Sequence, residues 1–131
     1  MAISVLVVDD ERTVAGMLAA VLKTEGYEVE TAVSTTQAVA ILNTRPFDVV
    51  ITDMRMESST SGYDVARAAS AQSQDPAIIL LTGYPMPARE WRQSGAHAML
   101  QKPAPIPRLL EAIERTLGER AQRRRERNDQ K

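Results

Sequence analysis

Four short, largely apolar runs, each ending at a polar or charged side chain, constrain the fold of this chain more than any other feature. They lie at 5–8, 47–52, 77–81 and 98–101. The residues that follow them are Asp9, Asp53, Thr82 and Lys102. A strand that is apolar along most of its length is typical of a parallel sheet covered on both faces. We therefore expect a buried parallel sheet with polar groups along one edge.

The segments between these runs repeat apolar residues at helical spacing. The segment 12–24 does so and precedes Gly26, a residue suited to ending a helix. Ser34 or Thr35 can cap a second helix. The segment 27–32 alternates glutamates with less polar residues, which predicts a strand with one wet face. Further helices are expected at about 63–71, at about 87–91 and from Pro107. The alternation of five strands with five helices predicts an α/β fold, a doubly wound parallel sheet with helices on both faces.

Composition excludes several classes of protein. The chain is 44% hydrophobic and 25% charged, which is usual for a soluble globular domain. Its 16 basic and 17 acidic residues leave a formal net charge of -1, which argues against a surface built to hold polyanions. Cysteine is absent, so disulfides and thiolate chemistry are excluded. No apolar run approaches the roughly 20 residues of a membrane span, and the first residues lack a secretion signal. We therefore expect a cytoplasmic protein with no membrane association.

The last residues differ in charge from the rest of the chain. Segment 119–131 contains six basic and three acidic residues, a net charge of +3. It lacks interleaved aromatic residues, and nothing after Gly118 resembles a DNA-binding helix-turn-helix. We expect this basic tail to be a helix extension or a linker, and we do not expect it to bind nucleic acid directly.

Carboxylates at the predicted strand ends indicate a metal site. Ligands of open parallel sheets collect beyond the carboxyl ends of the strands. If Asp9, Asp10 and Asp53 end neighbouring strands, their charges repel one another, and a cation relieves that repulsion. Mg²⁺ prefers oxygen ligands and is commonly held by one or two carboxylates together with phosphate oxygens. We therefore expect Mg²⁺ as the cofactor.

The remaining strand ends suit a phosphoryl group. Thr82 can donate a hydrogen bond to it, and Lys102 can place a positive charge beside it. An aspartate can accept a phosphoryl group as a nucleophile when cations neutralise the transferring oxygens. Asp53 is our candidate, because it stands alone at its strand end and leaves the pair Asp9 and Asp10 free to bind metal.

Together these residues resemble the receiver domain of bacterial two-component response regulators. The resemblance covers roughly residues 4–118 and so assigns 1–118 to a receiver domain and 119–131 to the basic tail. Its motifs are Val7-Val8-Asp9-Asp10-Glu11, Asp53-Met54-Arg55-Met56, Leu81-Thr82-Gly83 and Lys102-Pro103. The implied fold is flavodoxin-like, with strand order 2-1-3-4-5. The implied metal ligands are Asp10, Asp53, the Arg55 carbonyl and, directly or through water, Asp9.

The resemblance also implies a function in signal transduction. Asp53 would receive a phosphoryl group from a sensor histidine kinase or a histidine phosphotransfer protein, in a Mg²⁺-dependent reaction assisted by Thr82 and Lys102. The domain would catalyse its own phosphorylation and dephosphorylation but would not be an enzyme that acts on other substrates. Phosphorylation-dependent homodimerisation through the fourth and fifth helices is a further expectation.

The chain departs from the family pattern at three places. Glu57 replaces the usual proline four residues after the phosphoacceptor, and Gly62 comes one residue later than expected. Met99 stands where the family has a switch aromatic, and Ala104 replaces a bulky residue. These departures keep open an alternative function, a receiver-like binding module that works without phosphorylation. A third hypothesis, a small aspartate-based phosphatase, lacks the Gly-Thr pair expected soon after the acidic pair.

Overall fold

The computed structural model describes residues 2–84 and 86–129, which form five strands and five helices in strict alternation. The strands are β1 (Ser4–Val8), β2 (Glu28–Ala32), β3 (Val49–Asp53), β4 (Ala77–Thr82) and β5 (Ala98–Gln101). The helices are α1 (Arg12–Thr24), α2 (Thr35–Thr44), α3 (Ser61–Ser70), α4 (Ala88–Gln93) and α5 (Ile106–Asp129).

All five strands are parallel, in the order β2-β1-β3-β4-β5. The strand order reverses between β1 and β3, because β1 pairs with β2 on one side and with β3 on the other. This arrangement confirms the predicted fold class and strand order. It also places a crevice at the carboxyl ends of β1 and β3, where open α/β sheets bind their ligands.

Helices cover both faces of the sheet, so successive residues of a central strand enter two different cores. In β1, Leu6 and Val8 pack with α2, α3 and α4, whereas Val5 and Val7 pack with α1 and α5. All four side chains are buried. Burial on both faces explains why this strand is apolar throughout instead of alternating.

Local signals explain where two of the helices begin and end. Ser34 caps α2, since its hydroxyl accepts a hydrogen bond from the Gln37 N–H over 3.1 Å. Gly26 follows α1 with φ of +94°, a conformation that glycine adopts without steric cost. Trp91 is buried and anchors the short helix α4 to the core shared with α2 and α3.

Helix α5 continues well past Gly118, to Asp129. Arg120 is buried, and its Nη2 lies 3.1 Å from Asp48 Oδ1 and 3.0 Å from the Gln74 carbonyl oxygen. Arg123 and Arg127 both contact Asp75, over 3.4 and 3.0 Å. These contacts fix the end of α5 against the amino-terminal edge of the sheet, opposite the edge where Asp53 lies.

His97, directly before β5, supports a pH-dependent prediction. Its Nδ1 accepts a hydrogen bond from the Ile78 N–H over 3.0 Å, which requires an unprotonated nitrogen. Burial and the charge of Arg123 lower the pKa of His97 below the 6.5 of a free histidine, despite the opposing charges of Asp75 and Glu119. The unfolded chain therefore takes up this proton first as the pH falls. We expect the His97 contribution to stability to be complete above pH 6.5 and to decline below it.

Urea unfolding of the wild type and His97→Gln, above and below pH 6.5, measures this contribution. Because glutamine does not titrate, the loss of stability on acidification should be smaller in the variant. Equal losses in both proteins would show that His97 does not couple folding to pH.

Candidate functional site

The carboxyl ends of β1, β3, β4 and β5 bring the predicted site residues to one edge of the sheet. Asp9 follows β1, Asp53 is the last residue of β3, and Thr82 is the last residue of β4. Lys102 follows β5, and its N–H donates to the Thr82 carbonyl oxygen over 2.7 Å. The parallel register therefore converts four separate positions in the sequence into neighbours.

Three carboxylates converge at this edge. One oxygen from each of Asp9, Asp10 and Asp53 lies within 4.8 Å of the other two. Asp9 and Asp53 are buried, at 2% and 8% exposure, whereas Asp10 is exposed. Asp9 Oδ1 also accepts the Glu11 N–H over 2.9 Å, which fixes the turn that leads into α1. The cluster thus has two constrained carboxylates and one that faces solvent.

Lys102 supplies a positive charge to the buried pair. Its Nζ lies 3.1 Å from Asp53 Oδ1 and 3.5 Å from Asp9 Oδ2. Burial by itself disfavours the ammonium, but the hydrogen bonds and charges of Asp53 and Asp9 outweigh it and raise the Lys102 pKa above its usual value. The side chain therefore stays charged beside both carboxylates at neutral pH.

Asp53 differs electrostatically from an ordinary surface carboxylate. Burial raises the pKa of Asp53, and the charges of Asp9 and Asp10 raise it further. The hydrogen bond and charge of Lys102 act in the opposite direction without cancelling the rise. One ammonium thus leaves excess negative charge among three carboxylates, and a divalent cation would neutralise it.

The donor set fits Mg²⁺ in type and number. Carboxylate oxygens are the protein ligands that this ion prefers, and one or two of them usually suffice alongside water and phosphate oxygens. The exposed Asp10 leaves the cluster open to solvent, so that bound water can complete the coordination. Arg55 follows Asp53 by two residues, so its backbone belongs to the same edge of the sheet.

The side chains of Thr82 and Arg55 both contact Tyr84, in the loop after β4. The buried Thr82 hydroxyl donates to the Tyr84 carbonyl oxygen over 2.9 Å and accepts the Tyr84 N–H over 3.1 Å. The Arg55 guanidinium carbon lies 4.7 Å from the centroid of the Tyr84 ring, which is 61% exposed. Both contacts tie this loop to the rim of the site.

The altered loop after β3 is tightly held. The Gly62 N–H donates to the Met54 carbonyl oxygen over 2.9 Å. A Cβ on residue 62 would stand 2.8 Å from Met54 Cα and 2.9 Å from the Asp53 carbonyl oxygen, closer than side chains tolerate. Glycine at this position therefore permits the loop to fold back against the backbone that follows Asp53, despite the additional residue.

Sequence reasoning singled out the site residues but left the role of Glu57 open. The Glu57 carboxylate accepts hydrogen bonds from Thr35 at the start of α2 and from Ser61 at the start of α3. A weak signal was available, because the first turn of α2 is Thr35-Thr36-Gln37 and contains no acidic residue. Such a helix start can accept a carboxylate from elsewhere in the chain.

The other departures leave the cluster intact. Met99 on β5 is partly buried and packs against the core that includes Trp91, and Ala104 packs against the opposite core. Neither position introduces charge near Asp53. The 3.1 Å contact between Lys102 and Asp53 is present together with all three departures.

Comparison with known families gives one match that spans most of the chain. Residues 5–114 match the model of the response regulator receiver domain. The chain is 35% identical over 121 residues to the acid tolerance regulatory protein ActR of Rhizobium meliloti, covering 91% of this chain and 62% of that protein. It is 33% identical over 117 residues to the transcriptional regulatory protein GlrR of Escherichia coli, covering 88% of this chain and 26% of that protein. The chain thus spans less than two thirds of the length of these relatives.

Solved structures share the fold over almost the whole chain. The chemotaxis response regulator CheY4 of Vibrio cholerae superimposes with a TM-score of 0.79 and 34% identity, covering 88% of this chain and 99% of that one. TrrA of Thermotoga maritima, solved in complex with Mg²⁺ and BeF, gives a TM-score of 0.75 and 29% identity, covering 87% of this chain and 98% of that one. A response regulator of Burkholderia pseudomallei with a phosphorylated aspartic acid gives a TM-score of 0.79 and 26% identity, covering 93% of this chain and 72% of that one.

Proposed function

This chain belongs to the response regulator receiver domain family, and from that premise we propose that it is a signalling switch phosphorylated on Asp53 in a Mg²⁺-dependent reaction. The observation that carries the proposal is the position of Asp53 within one cluster with Asp9, Asp10 and Lys102. The donor would be the phosphohistidine of a sensor histidine kinase or of a histidine phosphotransfer protein.

Each residue of the site has a separate role in this proposal. In the transfer, the bond between the donor nitrogen and phosphorus breaks while an Asp53 oxygen bonds to phosphorus. Lys102 neutralises the charge that gathers on the phosphoryl oxygens, since its ammonium already lies beside the Asp53 carboxylate. The Thr82 hydroxyl would leave the Tyr84 carbonyl and donate to a phosphoryl oxygen instead.

Asp9, Asp10, Asp53 and the Arg55 carbonyl would hold Mg²⁺ in this function. When bound, the ion supplies positive charge to the carboxylates and to the phosphoryl oxygens. The excess of carboxylates over ammonium in the cluster supports this assignment.

We further propose that the domain turns over no substrate other than its own phosphoryl group. The alternative, a binding module that works without phosphorylation, depended on the altered loop and on Met99. Since the Lys102 contact to Asp53 persists beside both features, neither removes the residues that phosphorylation requires.

None of the helices within residues 2–84 and 86–129 combines the length and apolar character that a membrane crossing needs.

The proposal predicts that the purified chain takes up one phosphoryl group from acetyl phosphate when Mg²⁺ is present. Intact-mass spectrometry measures the uptake, and neutral hydroxylamine or mild alkali should remove the label, because both cleave an acyl phosphate. Chelation of Mg²⁺ is the matched control and should abolish the mass increase. An unmodified mass at millimolar Mg²⁺ would count decisively against a phosphoacceptor switch.

A further inference from the structure

Glu57 connects two parts of the chain that the sheet does not join. Its Oε2 accepts the Thr35 N–H over 2.9 Å, and its Oε1 accepts the Thr35 hydroxyl over 2.7 Å. The Ser61 hydroxyl also donates to Oε1, over 3.3 Å. One carboxylate in the loop between β3 and α3 thus contacts the first residues of both α2 and α3.

The contact to α2 has an electrostatic reason. The amino-terminal end of a helix carries unpaired N–H groups and a partial positive charge, which acidic side chains stabilise. The first turn of α2 contains no acidic residue, and the Ser34 side chain caps only the Gln37 N–H. Glu57 supplies the missing negative charge and receives the Thr35 N–H.

The loop that contains Glu57 also contains Arg55, whose carbonyl oxygen is a proposed metal ligand. Glu57 follows Arg55 by two residues and Asp53 by four. At its far end, the Gly62 N–H binds the Met54 carbonyl oxygen, so the loop closes on the backbone beside Asp53. Between these points the loop is exposed and contains the additional residue. Within the loop, Ser58, Thr60 and Ser61 bond to one another, and Met56 packs against the core. The Glu57 carboxylate adds the hydrogen bonds that join the loop to the start of α2.

We propose that Glu57 is a positioning residue for the metal site. By anchoring the loop to the start of α2, it holds the Arg55 backbone at the edge of the cluster formed by Asp9, Asp10 and Asp53. The inference deepens the proposed function and rests on it. It also assigns a role to the side chain that replaces the proline of the family pattern.

Titration calorimetry with Mg²⁺ alone tests this role without any reaction. We expect Glu57→Ala to weaken Mg²⁺ affinity by about tenfold, the low end of the effect of residues that orient metal ligands. Glu57→Gln keeps an oxygen that can accept the Thr35 N–H and should stay within about threefold of the wild type. Ser59→Ala is the matched control in the same loop, because the exposed Ser59 side chain makes none of the contacts described above.

A kinetic readout separates positioning from a general loss of structure. With acetyl phosphate, Glu57→Ala should need more Mg²⁺ for half-maximal phosphorylation yet reach the wild-type rate at saturation. Thr35→Val removes one of the hydrogen bonds and should shift the Mg²⁺ requirement in the same direction, which provides a second variant if Glu57→Ala folds poorly.

The outcomes distinguish this inference from the proposed function. If the wild type binds Mg²⁺ and Glu57→Ala and Thr35→Val bind it equally well, the positioning role is wrong and the phosphoacceptor function stands. If the wild type neither binds Mg²⁺ nor accepts a phosphoryl group, the proposed function is wrong, and the inference is wrong with it.

Discussion

Replacing Lys102 with methionine is expected to slow phosphorylation of Asp53 by at least about 100-fold, the usual effect of removing one preorganised group that stabilises a transition state. The Lys102 ammonium lies 3.1 Å from Asp53 and 3.5 Å from Asp9. Methionine keeps most of the volume of the side chain but carries no charge. The oxygens of the transferring group would then face the carboxylates without this cation, so the barrier should rise.

The initial rate of phosphoryl uptake from acetyl phosphate, followed by intact mass at saturating Mg²⁺, measures this effect. Lys23→Met is the matched control, because Lys23 is exposed in the last turn of α1. It should react as fast as the wild type. A wild-type rate in Lys102→Met would contradict the role of Lys102, whereas equal slowing of both variants would point to a non-specific effect of charge.

Replacing Arg120 with alanine is expected to lower the free energy of unfolding by about 2 kcal/mol, less than the cost of breaking a fully buried ion pair, because the Asp48 side chain is 20% exposed. Arg120 is 7% exposed and binds both Asp48 and the Gln74 carbonyl oxygen. Burial alone would raise the Asp48 pKa, but hydrogen bonds from Ser4 and Gln74 and the charge of Arg120 lower it. Truncation of Arg120 would leave this carboxylate without its cation.

Urea denaturation of Arg120→Ala, Asp48→Asn and the double variant measures the coupling between the two residues. Arg125→Ala is the matched control, since Arg125 is exposed on the same helix and its side chain reaches only Gln122 among the described residues. We expect little change in that control. A loss in Arg120→Ala no greater than in Arg125→Ala would show that the contacts of Arg120 add no stability.

The contacts of four arginines give a structural reason for the positive charge of segment 119–131. Arg120, Arg123, Arg124 and Arg127 all contact groups from the β3 and β4 side of the domain, namely Asp48, Asp75 and the Gln74 carbonyl. Much of the basic character of α5 is therefore used in intramolecular contacts. This arrangement supports the expectation that the segment does not itself bind nucleic acid.

The sheet and the cluster could be predicted because both follow from local sequence patterns. Apolar runs set the strands, and parallel order brings their polar ends to one edge, so the sequence alone is enough to single out Asp9, Asp53, Thr82 and Lys102. The strand order itself came from the resemblance to the receiver family, and the structure confirms it.

Contacts between distant side chains could not be predicted in this way. In the sequence, Glu57 has the features of an exposed loop residue. Its hydrogen bonds to Thr35 depend on the packing of α2 beside α3. In the sequence, Arg120 is one of several charged residues in segment 119–131. Its burial depends on where α5 crosses the edge of the sheet. Neither geometry is encoded in a short motif or in a hydrophobic period.

The central claim is that Asp53 accepts the phosphoryl group with the help of a metal held by the same carboxylate cluster. Peptide mapping by mass spectrometry, after incubation with acetyl phosphate and Mg²⁺, tests it most directly when the wild type, Asp53→Asn and Asp10→Asn are compared. We predict label on the Asp53 peptide of the wild type, none in Asp53→Asn, and label in Asp10→Asn only at raised Mg²⁺. Label on another residue of the wild type, or undiminished label in Asp53→Asn, would contradict the account.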